Sequence, residues 1–332
     1  MWSAEVRGNI LDIGAAKLVD KHTQLSVHSK VYVRECYDTL YALITEARRM
    51  STNVVITGTP GTGKTAYRNY VIWKLAQEMK RTGNSFAIIL DGTPGNTKLC
   101  VVLTAVKNPC DKSLQLHAKV VKNETGWLMP MEPYRRSGSV YLVDVSEGDS
   151  KGMLHFAAGS TIMFTSPNRS AWHDFQKEDL FNGGPLYMPL WSETELRAAA
   201  TMLGVKQEGN FNEAVRRYGG VPRAVFQSSL DPYEVQTRDS LQQMKWAECT
   251  EGVDTASATV GVRHKLLYFF AATDLKSAQL AFGTDYLLRA AADKYIRTMV
   301  NAITQVIQSP WPGVTPGVAG MFMEDVYHSL LC

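Results

Sequence analysis

The feature that most constrains this chain is a glycine-rich octapeptide, Gly58-Thr59-Pro60-Gly61-Thr62-Gly63-Lys64-Thr65. It fits the P-loop pattern GxxxxGK(S/T), which lies between a strand and a helix. A short β-branched run, Val54-Val55-Ile56-Thr57, comes directly before it, and an amphipathic helical pattern begins at Lys64. Because both flanks are the ones that the pattern requires, the sequence predicts a strand, loop and helix that bind a nucleoside triphosphate.

The residue types of this octapeptide suit a phosphate chain. Glycines let several backbone N–H groups turn inward, and the N-terminus of the following helix adds partial positive charge. Lys64 is expected to reach the β and γ phosphates, and Thr65 is expected to place its hydroxyl on Mg²⁺. ATP and Mg²⁺ are therefore the predicted cofactors, with all eight residues as candidate ligands: Gly58, Thr59, Pro60, Gly61, Thr62, Gly63, Lys64 and Thr65.

A second candidate site residue is Asp144, which follows the apolar run Val140-Tyr141-Leu142-Val143. Four apolar residues and then an aspartate form a Walker B strand, whose acid supports the metal. Asp144 is therefore the predicted metal-side carboxylate. Many ATPases have a glutamate immediately after this aspartate, but here the residue is Val145. Glu147 is the first candidate to orient the attacking water and Asp149 the second; the alternative is that both are surface loop acids.

The order of apolar runs indicates a division of P-loop proteins. One complete strand, Phe86 to Leu90, intervenes between the glycine-rich segment and Asp144. This order resembles the additional-strand ATPases, which include AAA+ and STAND proteins. In those proteins the strand after Walker B ends in a polar residue that senses the γ-phosphate. Ser166 is the candidate here, next to Thr165 and Asn168; simple capping of a strand end is the alternative.

Two flanking segments resemble further elements of the same ATPases. Residues Val31-Tyr32-Val33-Arg34-Glu35 resemble a hydrophobic-Arg-Glu element that lines the base pocket, which makes Arg34 a candidate nucleotide ligand. Residues Gly219-Gly220-Val221-Pro222-Arg223 resemble the start of a lid helix. Arg223 is therefore a candidate phosphate sensor, or else a surface residue of a first helical turn.

The rest of the chain sets the predicted architecture. Alternating stretches at 101–106 and 116–121 predict a β-hairpin inserted into the core. The capping box Ser192-x-x-Glu195 opens helices that continue to 227, and a further helical region is predicted from about 262 to 307. The predicted class is α/β, with an additional-strand parallel sheet, a helical lid and a helical C-terminal region. The domains are an extension at 1–30, a P-loop NTPase core at 31–190, the lid and helical region at 191–308, and a linker with a short terminal helix at 309–332.

Composition limits the function classes. The chain has 35 basic and 32 acidic residues and a net charge of +3, which is far from the footprint of a protein that relies on phosphate contacts for affinity. Its five cysteines have no metal-ligand spacing, so reduced thiols and a reducing compartment are predicted. No signal peptide and no apolar run of about 18 residues is visible, so we expect an intracellular protein without a membrane partner.

Taken together, these segments resemble the NTPase module of Crinkler-type effectors and of retrotransposon hot spot proteins. The likeness covers roughly 31 to 226, and its most specific parts are Phe164-Thr165-Ser166-Pro167-Asn168 and Met188-Pro189-Leu190-Trp191-Ser192. It implies an effector that is secreted into a host cell and acts in the nucleus, with DNA or a host nuclear protein as partner. Relatives often carry a restriction-endonuclease-like domain after the module. Residues 320–328 resemble its opening helix, but the catalytic sheet has no room before Cys332, so nuclease activity is predicted absent.

The sequence therefore predicts Mg²⁺-dependent ATP hydrolysis, in which Lys64, Asp144, Glu147, Ser166 and Arg223 carry the chemistry. Two alternatives stay open. One is a nucleotide-gated switch or scaffold with little turnover, and the other is the motor half of a DNA-processing nuclease. Homo-oligomerisation is also left open.

Overall fold

A computed structural model describes the chain over a set of separate ranges. These are residues 5–12, 30–50, 52–83, 86–91, 99–107, 114–122, 138–145, 159–167, 184–205, 209–227, 229–244 and 265–308. The chain divides into two units, Met1–Leu287 and Leu288–Cys332. The described part of the second unit is helical, and all other elements belong to the first.

A seven-stranded sheet forms the centre of the first unit. Its strands are β4 (Val54–Thr57), β5 (Ala87–Asp91), β6 (Leu99–Lys107), β7 (Leu114–Lys122), β8 (Val140–Val145), β9 (Ser160–Thr165) and β10 (Leu186–Tyr187), in the order β10-β4-β9-β8-β5-β6-β7. The first five in this order run parallel. The pairs β5·β6 and β6·β7 are antiparallel.

The predicted α/β class is confirmed at the level of a mixed α/β protein, and the large sheet is mixed because the predicted hairpin adds antiparallel strands to the parallel ones. The predicted hairpin is present as β6 and β7, and it pairs with the outer edge of β5. A long hairpin can satisfy the backbone N–H and C=O groups that an edge strand leaves unpaired. The parallel core is therefore extended by two antiparallel strands.

Two helices cover one face of this sheet. The helix α1 (Glu35–Arg49) buries Tyr37, Leu40 and Ile44, which are spaced along one helical face. The helix α2 (Lys64–Thr82) follows the glycine-rich loop and ends at Gly83, whose φ of +68° is the left-handed conformation of a glycine C-cap. Their apolar side chains join those of alternate positions on the central strands in one large core.

The region after β10 is not entirely helical, and this part of the prediction is wrong. It contains α3 (Glu193–Leu203), α4 (Asn210–Tyr218), α5 (Pro222–Val225), α6 (Asp231–Gln243), β11 (Leu267–Ala271), β12 (Ala278–Phe282) and α7 (Asp285–Gln308). The strands β11 and β12 form an antiparallel hairpin within the stretch that was predicted as helix. A short apolar run does not by itself distinguish a strand from a buried helical segment. Here packing against the rest of the unit decides the outcome, because Leu275 at the tip of the hairpin is buried in the main core.

The chain before α1 adds a small three-stranded antiparallel sheet. Its strands are β1 (Glu5–Arg7), β2 (Ile10–Asp12) and β3 (Lys30–Tyr32). Leu11 of β2 and Val31 of β3 join the main core, so this sheet is packed against the α/β layer. Among the described ranges, no helix has the length and apolar character needed to cross a bilayer.

Candidate functional site

The glycine-rich loop (Gly58–Thr65) connects β4 to α2 at the carboxyl edge of the parallel strands. Three of its glycines have positive φ angles, which are +138° at Gly58, +87° at Gly61 and +97° at Gly63. These values are rare for residues with a side chain. Two of the positions also lack room for one: a Cβ at Gly58 would lie 2.8 Å from the carbonyl oxygen of Met188, and a Cβ at Gly61 would lie 2.9 Å from Cγ1 of Val221.

Lys64 is the first residue of α2, and its ammonium group lies over the same loop. Nζ donates hydrogen bonds to the carbonyl oxygens of Gly58, at 2.8 Å, and Thr59, at 3.1 Å. Desolvation by burial lowers the pKa of Lys64 to about 7. The negative charge of Asp144 acts to raise this pKa, and the positive charge of Arg223 lowers it further. An anion beside Nζ would favour the protonated amine, because opposite charges stabilise each other most where water is excluded.

Thr65 and Asp144, the two residues predicted as metal ligands, are in contact. The Thr65 hydroxyl donates to Oδ2 of Asp144 at 2.9 Å. Register explains why the carboxylate is available, since Asp144 pairs with Phe164 and Phe164 pairs with Ile56. Side chains at paired positions lie on the same face of a sheet. Asp144 therefore lies on the face that α2 covers, at the end of β8.

Arg68 is a site residue that the sequence analysis missed. Its Nη1 lies 3.3 Å from Oδ2 of Asp144, and its side chain is 6% exposed. Asp144 thus faces both a hydroxyl and a guanidinium from α2. Its i+4 spacing from Lys64 places Arg68 on the same helical face, but its contact with Asp144 depends on how α2 packs against β8.

Arg223 lies beside the glycine-rich loop, at the start of α5. Its backbone N–H donates to the Gly61 carbonyl oxygen at 3.4 Å, and its Cβ is 3.0 Å from the position that a Gly61 Cβ would occupy. The Arg223 side chain is exposed, yet its charge contributes to the lowered pKa of Lys64. The structure therefore brings Arg223 to the loop, and its role as a phosphate sensor stays a prediction.

Arg34 has a different environment from the one that the resemblance implied. Its guanidinium is bound to Glu195 at 2.9 Å and to the carbonyl oxygens of Pro189 and Leu190, both at 2.8 Å. The Arg34 side chain is 2% exposed. In this geometry Arg34 organises the turn before α3, and its contact with a nucleotide stays a prediction.

Trp191 connects Arg34 to the loop. The guanidinium carbon of Arg34 lies 4.8 Å from the centroid of the Trp191 ring. On its other side, Nε1 of Trp191 donates to the carbonyl oxygen of Thr62 at 2.8 Å. Two segments that are distant in sequence, 31–35 and 188–192, therefore act together on the backbone of the glycine-rich loop.

The β11–β12 hairpin also contacts the loop. The backbone N–H of Phe269 donates to Oγ1 of Thr59 at 2.8 Å, and Thr59 is 1% exposed. The Phe269 ring stacks on Tyr187 at 6.0 Å, and the Tyr187 N–H donates to the Leu275 carbonyl oxygen. This contact was missed because the hairpin itself was not predicted.

The predicted sensor and water-orienting residues are only partly described. Ser166 follows β9 and is partly buried. Thr165 pairs with Val145, so its side chain lies on the face of the sheet opposite to Asp144. Because side chains alternate between the two faces of a strand, Ser166 is a better candidate than Thr165 for the γ-phosphate sensor. Glu147, Asp149 and Asn168 lie outside the described residues, so their roles stay predictions.

The loop and the end of β8 together provide hard oxygen donors that could bind a metal ion. Thr65 contributes a hydroxyl and Asp144 a carboxylate, which are ligand types that Mg²⁺ prefers. No group of three or more His, Cys, Asp or Glu residues forms a metal site within the described ranges. A dedicated cage of that kind is not required, because Mg²⁺ at phosphate sites is usually held by one or two protein ligands together with phosphate oxygens and water.

Comparison with known proteins supports the family resemblance. No protein-family model matches the chain. Crinkler effector protein 15 of Phytophthora infestans is 29% identical over 221 residues, which are 63% of this chain and 30% of that protein. Crinkler effector protein 16 of the same organism is 29% identical over 215 residues, 61% of this chain and 29% of that protein. The chain is thus distantly similar to two Crinkler effectors, and the matched region spans less than a third of either of them.

Proposed function

We propose that this chain is the nucleotide-binding module of a Crinkler-like effector, and that it binds ATP with Mg²⁺ and hydrolyses it. The observation that carries this proposal is the contact between Thr65 and Asp144, 2.9 Å from Oγ1 to Oδ2, at the mouth of the glycine-rich loop. A hydroxyl that follows a P-loop lysine and a carboxylate at the end of a second strand form the usual protein side of a Mg²⁺-triphosphate site.

The strand order supports the same assignment. The strand β9 lies between β4, which leads into the loop, and β8, which ends at Asp144. One strand between these two is the arrangement of the additional-strand ATPases that the sequence resembles. In open α/β sheets, ligands bind at the carboxyl ends of parallel strands, and both the loop and Asp144 lie at this edge.

The residues of the loop fit a phosphate chain. The backbone of Gly61, Gly63 and Lys64 can direct N–H groups at phosphate oxygens only because the glycines adopt positive φ angles. Binding would transfer the Lys64 ammonium from the carbonyl oxygens of Gly58 and Thr59 to the β and γ phosphates. Thr65 and Asp144 would hold Mg²⁺, which would supply positive charge to neutralise the phosphates.

Arg68 would share Asp144 with this metal. Its guanidinium neutralises part of the carboxylate charge at 3.3 Å, which limits the electrostatic cost of a partly buried acid. The same contact would compete with a bound Mg²⁺ for the Asp144 carboxylate. We therefore expect metal binding to require the triphosphate, whose oxygens supply the remaining negative charge.

Water activation is the step for which the described residues offer no base. Val145 follows Asp144, and the proposed water-orienting residue, Glu147, lies outside the described residues. This favours one rival function: a switch that binds ATP with little turnover and whose bound state orders the lid. The close approach of the loop to the lid supports such a role, because Gly61 packs against both Val221 and Arg223.

The test is ATP binding and steady-state phosphate release by wild type and by Lys64→Ala, each with and without Mg²⁺. We expect Lys64→Ala to abolish both activities. Lys80→Ala is the matched control, because Lys80 is an exposed lysine on the same helix. A Lys64→Ala protein with the wild-type rate of phosphate release would disprove the assignment.

A second variant separates the enzyme from the switch. Loss of phosphate release in Glu147→Gln, with ATP binding retained, would support hydrolysis. Tight ATP binding by the wild type without phosphate release would support the switch.

The relatives are named as effectors, and we propose that this chain also acts inside a host cell. The nucleus is the proposed compartment, with DNA or a nuclear protein as partner. Localisation of a fluorescent fusion in host cells, followed by mass spectrometry of proteins that are captured by wild type but not by Lys64→Ala, would test both statements.

A further inference from the structure

A second concave site lies between the C-terminal halves of α1 and α2. It is a cavity of about 430 Å³. Its lining includes Arg48 and Arg49 from α1, Lys74 and Arg81 from α2, and also Tyr41 and Glu78. We call this site the basic groove. Lys74 lies roughly 15 Å along α2 from Lys64, at about 1.5 Å per residue, so the groove is separate from the glycine-rich loop.

Two of the four cations in the groove are held in place by acids. Arg48 donates to Glu78 at 2.8 Å, and the Tyr41 hydroxyl donates to the same carboxylate at 3.3 Å. Lys74 lies 2.8 Å from Asp38. These contacts fix the positions of Arg48 and Lys74 without a ligand.

The other two cations are available. Arg49 and Arg81 are exposed, and no ion pair joins either of them to a carboxylate of the described part of the chain. Glu78 is the one acid in the lining and already binds Arg48. The groove therefore has an excess of positive charge around a concave surface, although the whole chain has a net charge of only +3.

Helix electrostatics explain part of this pattern. Arg48 and Arg49 lie in the last turn of α1, where cations offset the partial negative charge of the helix C-terminus. Arg81 has the same position on α2. That effect does not account for Lys74, which is in the middle of its helix. It also does not require the four side chains to converge on one cavity.

We propose that the basic groove binds a multiply phosphorylated small molecule. Guanidinium groups bind phosphate oxygens in pairs of parallel hydrogen bonds, so Arg49 and Arg81 would each take one phosphate group. Lys74 would add a point charge, and the Tyr41 ring would pack against the apolar face of the carrier. The cavity volume is within the range of about 300–1,000 Å³ that is typical of small-molecule sites.

The size of the groove favours such a ligand over nucleic acid. Proteins that hold a duplex by its backbone make about 6–10 phosphate contacts over a broad surface. The groove offers four cations in one pocket. The phosphate groups could belong to a free inositol phosphate or to a phosphoinositide headgroup, which share the same chemistry.

The test uses inositol hexakisphosphate as the probe, in isothermal titration calorimetry with the full chain. We expect Arg49→Ala/Arg81→Ala to weaken binding about tenfold or more, because hydrogen bonds between charged groups are lost. Arg49→Lys/Arg81→Lys should be intermediate, since it keeps the charge but not the paired hydrogen bonds. The control is Arg238→Ala, which removes an exposed arginine on α6 and should bind like wild type.

Lys64→Ala tests whether the probe binds at the proposed ATP site instead. We expect this variant to bind the probe as the wild type does. Flotation with vesicles of phosphatidylcholine, with or without phosphatidylinositol bisphosphate, identifies the source of the phosphate groups. Binding only to the bisphosphate vesicles indicates a lipid headgroup. Binding only to the free probe indicates a soluble ligand. Three results would overturn the proposal. They are no binding of either probe by wild type, equal binding by wild type and the Arg49→Ala/Arg81→Ala variant, and loss of probe binding in Lys64→Ala alone. Binding of duplex DNA without binding of the hexakisphosphate or of the bisphosphate vesicles would also overturn it.

Discussion

Thr65 Oγ1 and Asp144 Oδ2 lie 2.9 Å apart, so that the first turn of α2 is tied to the end of β8. The two residues are far apart in sequence, and the tie fixes the distance between the glycine-rich loop and the strand that carries its acid. A charge-assisted hydrogen bond of this kind is stronger than a neutral one. It therefore holds two proposed metal ligands in position.

This contact predicts that two substitutions of Thr65 have different effects on Mg²⁺-dependent ATP binding. Thr65→Ala should weaken Mg²⁺-dependent ATP binding about 10- to 100-fold, because it removes the hydroxyl proposed to bind Mg²⁺ and a polar contact to a charged group contributes about 1.5–3 kcal/mol. Thr65→Ser keeps the hydroxyl and should remain within a few fold of wild type. Titration of a fluorescent ATP analogue with and without Mg²⁺ measures both. Equal affinity of Thr65→Ala and wild type in Mg²⁺ would remove Thr65 from the metal site.

Gly61 is predicted to tolerate no side chain. Gly61→Ala would force a Cβ to within 2.9 Å of Val221 and 3.0 Å of Arg223 at a φ of +87°. We expect the free energy of unfolding to fall by about 2–4 kcal/mol, because the left-handed backbone and the steric clash both destabilise the variant. Gly83→Ala is the matched control, because its φ is +68° and nothing lies within 4 Å of the added Cβ.

Unfolding of both variants in urea measures the difference. The free energy of unfolding should fall by at least about 1 kcal/mol more in Gly61→Ala than in Gly83→Ala, which carries the backbone strain alone. Equal losses would mean that the lid does not press on the loop.

The Arg34–Glu195 ion pair predicts a pH-dependent contribution to stability. Burial acts to raise the pKa of Glu195, but the hydrogen bonds and charge of Arg34 outweigh it and hold this pKa below its ordinary value of 4.5. A carboxylate with a lowered folded-state pKa stabilises the protein fully above pH 4.5, and this stabilisation is lost as the pH falls through the folded-state value.

Glu195→Gln should therefore lower the free energy of unfolding by about 2 kcal/mol at neutral pH. This figure is below the range for fully buried pairs because Glu195 is 23% exposed. The difference from wild type should shrink below pH 4.5. Glu193→Gln, an exposed acid of the same helical turn, should cost less than about 1 kcal/mol at any pH. Denaturant unfolding across this pH range is the measurement, and a pH-independent loss in Glu195→Gln would contradict the ion-pair account.

Thr59 is predicted to hold the β11–β12 hairpin against the loop. Thr59→Val keeps the shape but removes the acceptor of the Phe269 N–H, which would then be buried without this partner at a cost of about 1–3 kcal/mol. Hydrogen exchange of the Phe269 amide should accelerate in Thr59→Val and stay near wild type in Thr59→Ser. Unchanged exchange in Thr59→Val would show that other contacts hold the hairpin.

Local sequence patterns predicted the elements that later form the site. The β-branched run before Gly58 corresponds to β4, the periodicity after Lys64 to α2, and the four apolar residues before Asp144 to β8. These predictions succeeded because such patterns depend on backbone geometry and burial within one element. The hairpin at 267–282 was missed for the same reason, since its strands are defined by contacts with Tyr187 and with the main core.

The sequence alone identified the residues that are proposed to hold a phosphate chain, because glycines, a lysine and a hydroxyl at this spacing between a strand and a helix fit the P-loop pattern. Only the tertiary structure decided which distant groups act on them. It placed Arg68 beside Asp144, connected Arg34 to the loop through Trp191, and brought Phe269 to Thr59. Spacing along the chain fixes neighbours within one helix or strand, whereas contacts between elements depend on strand order, register and packing, which no local pattern encodes.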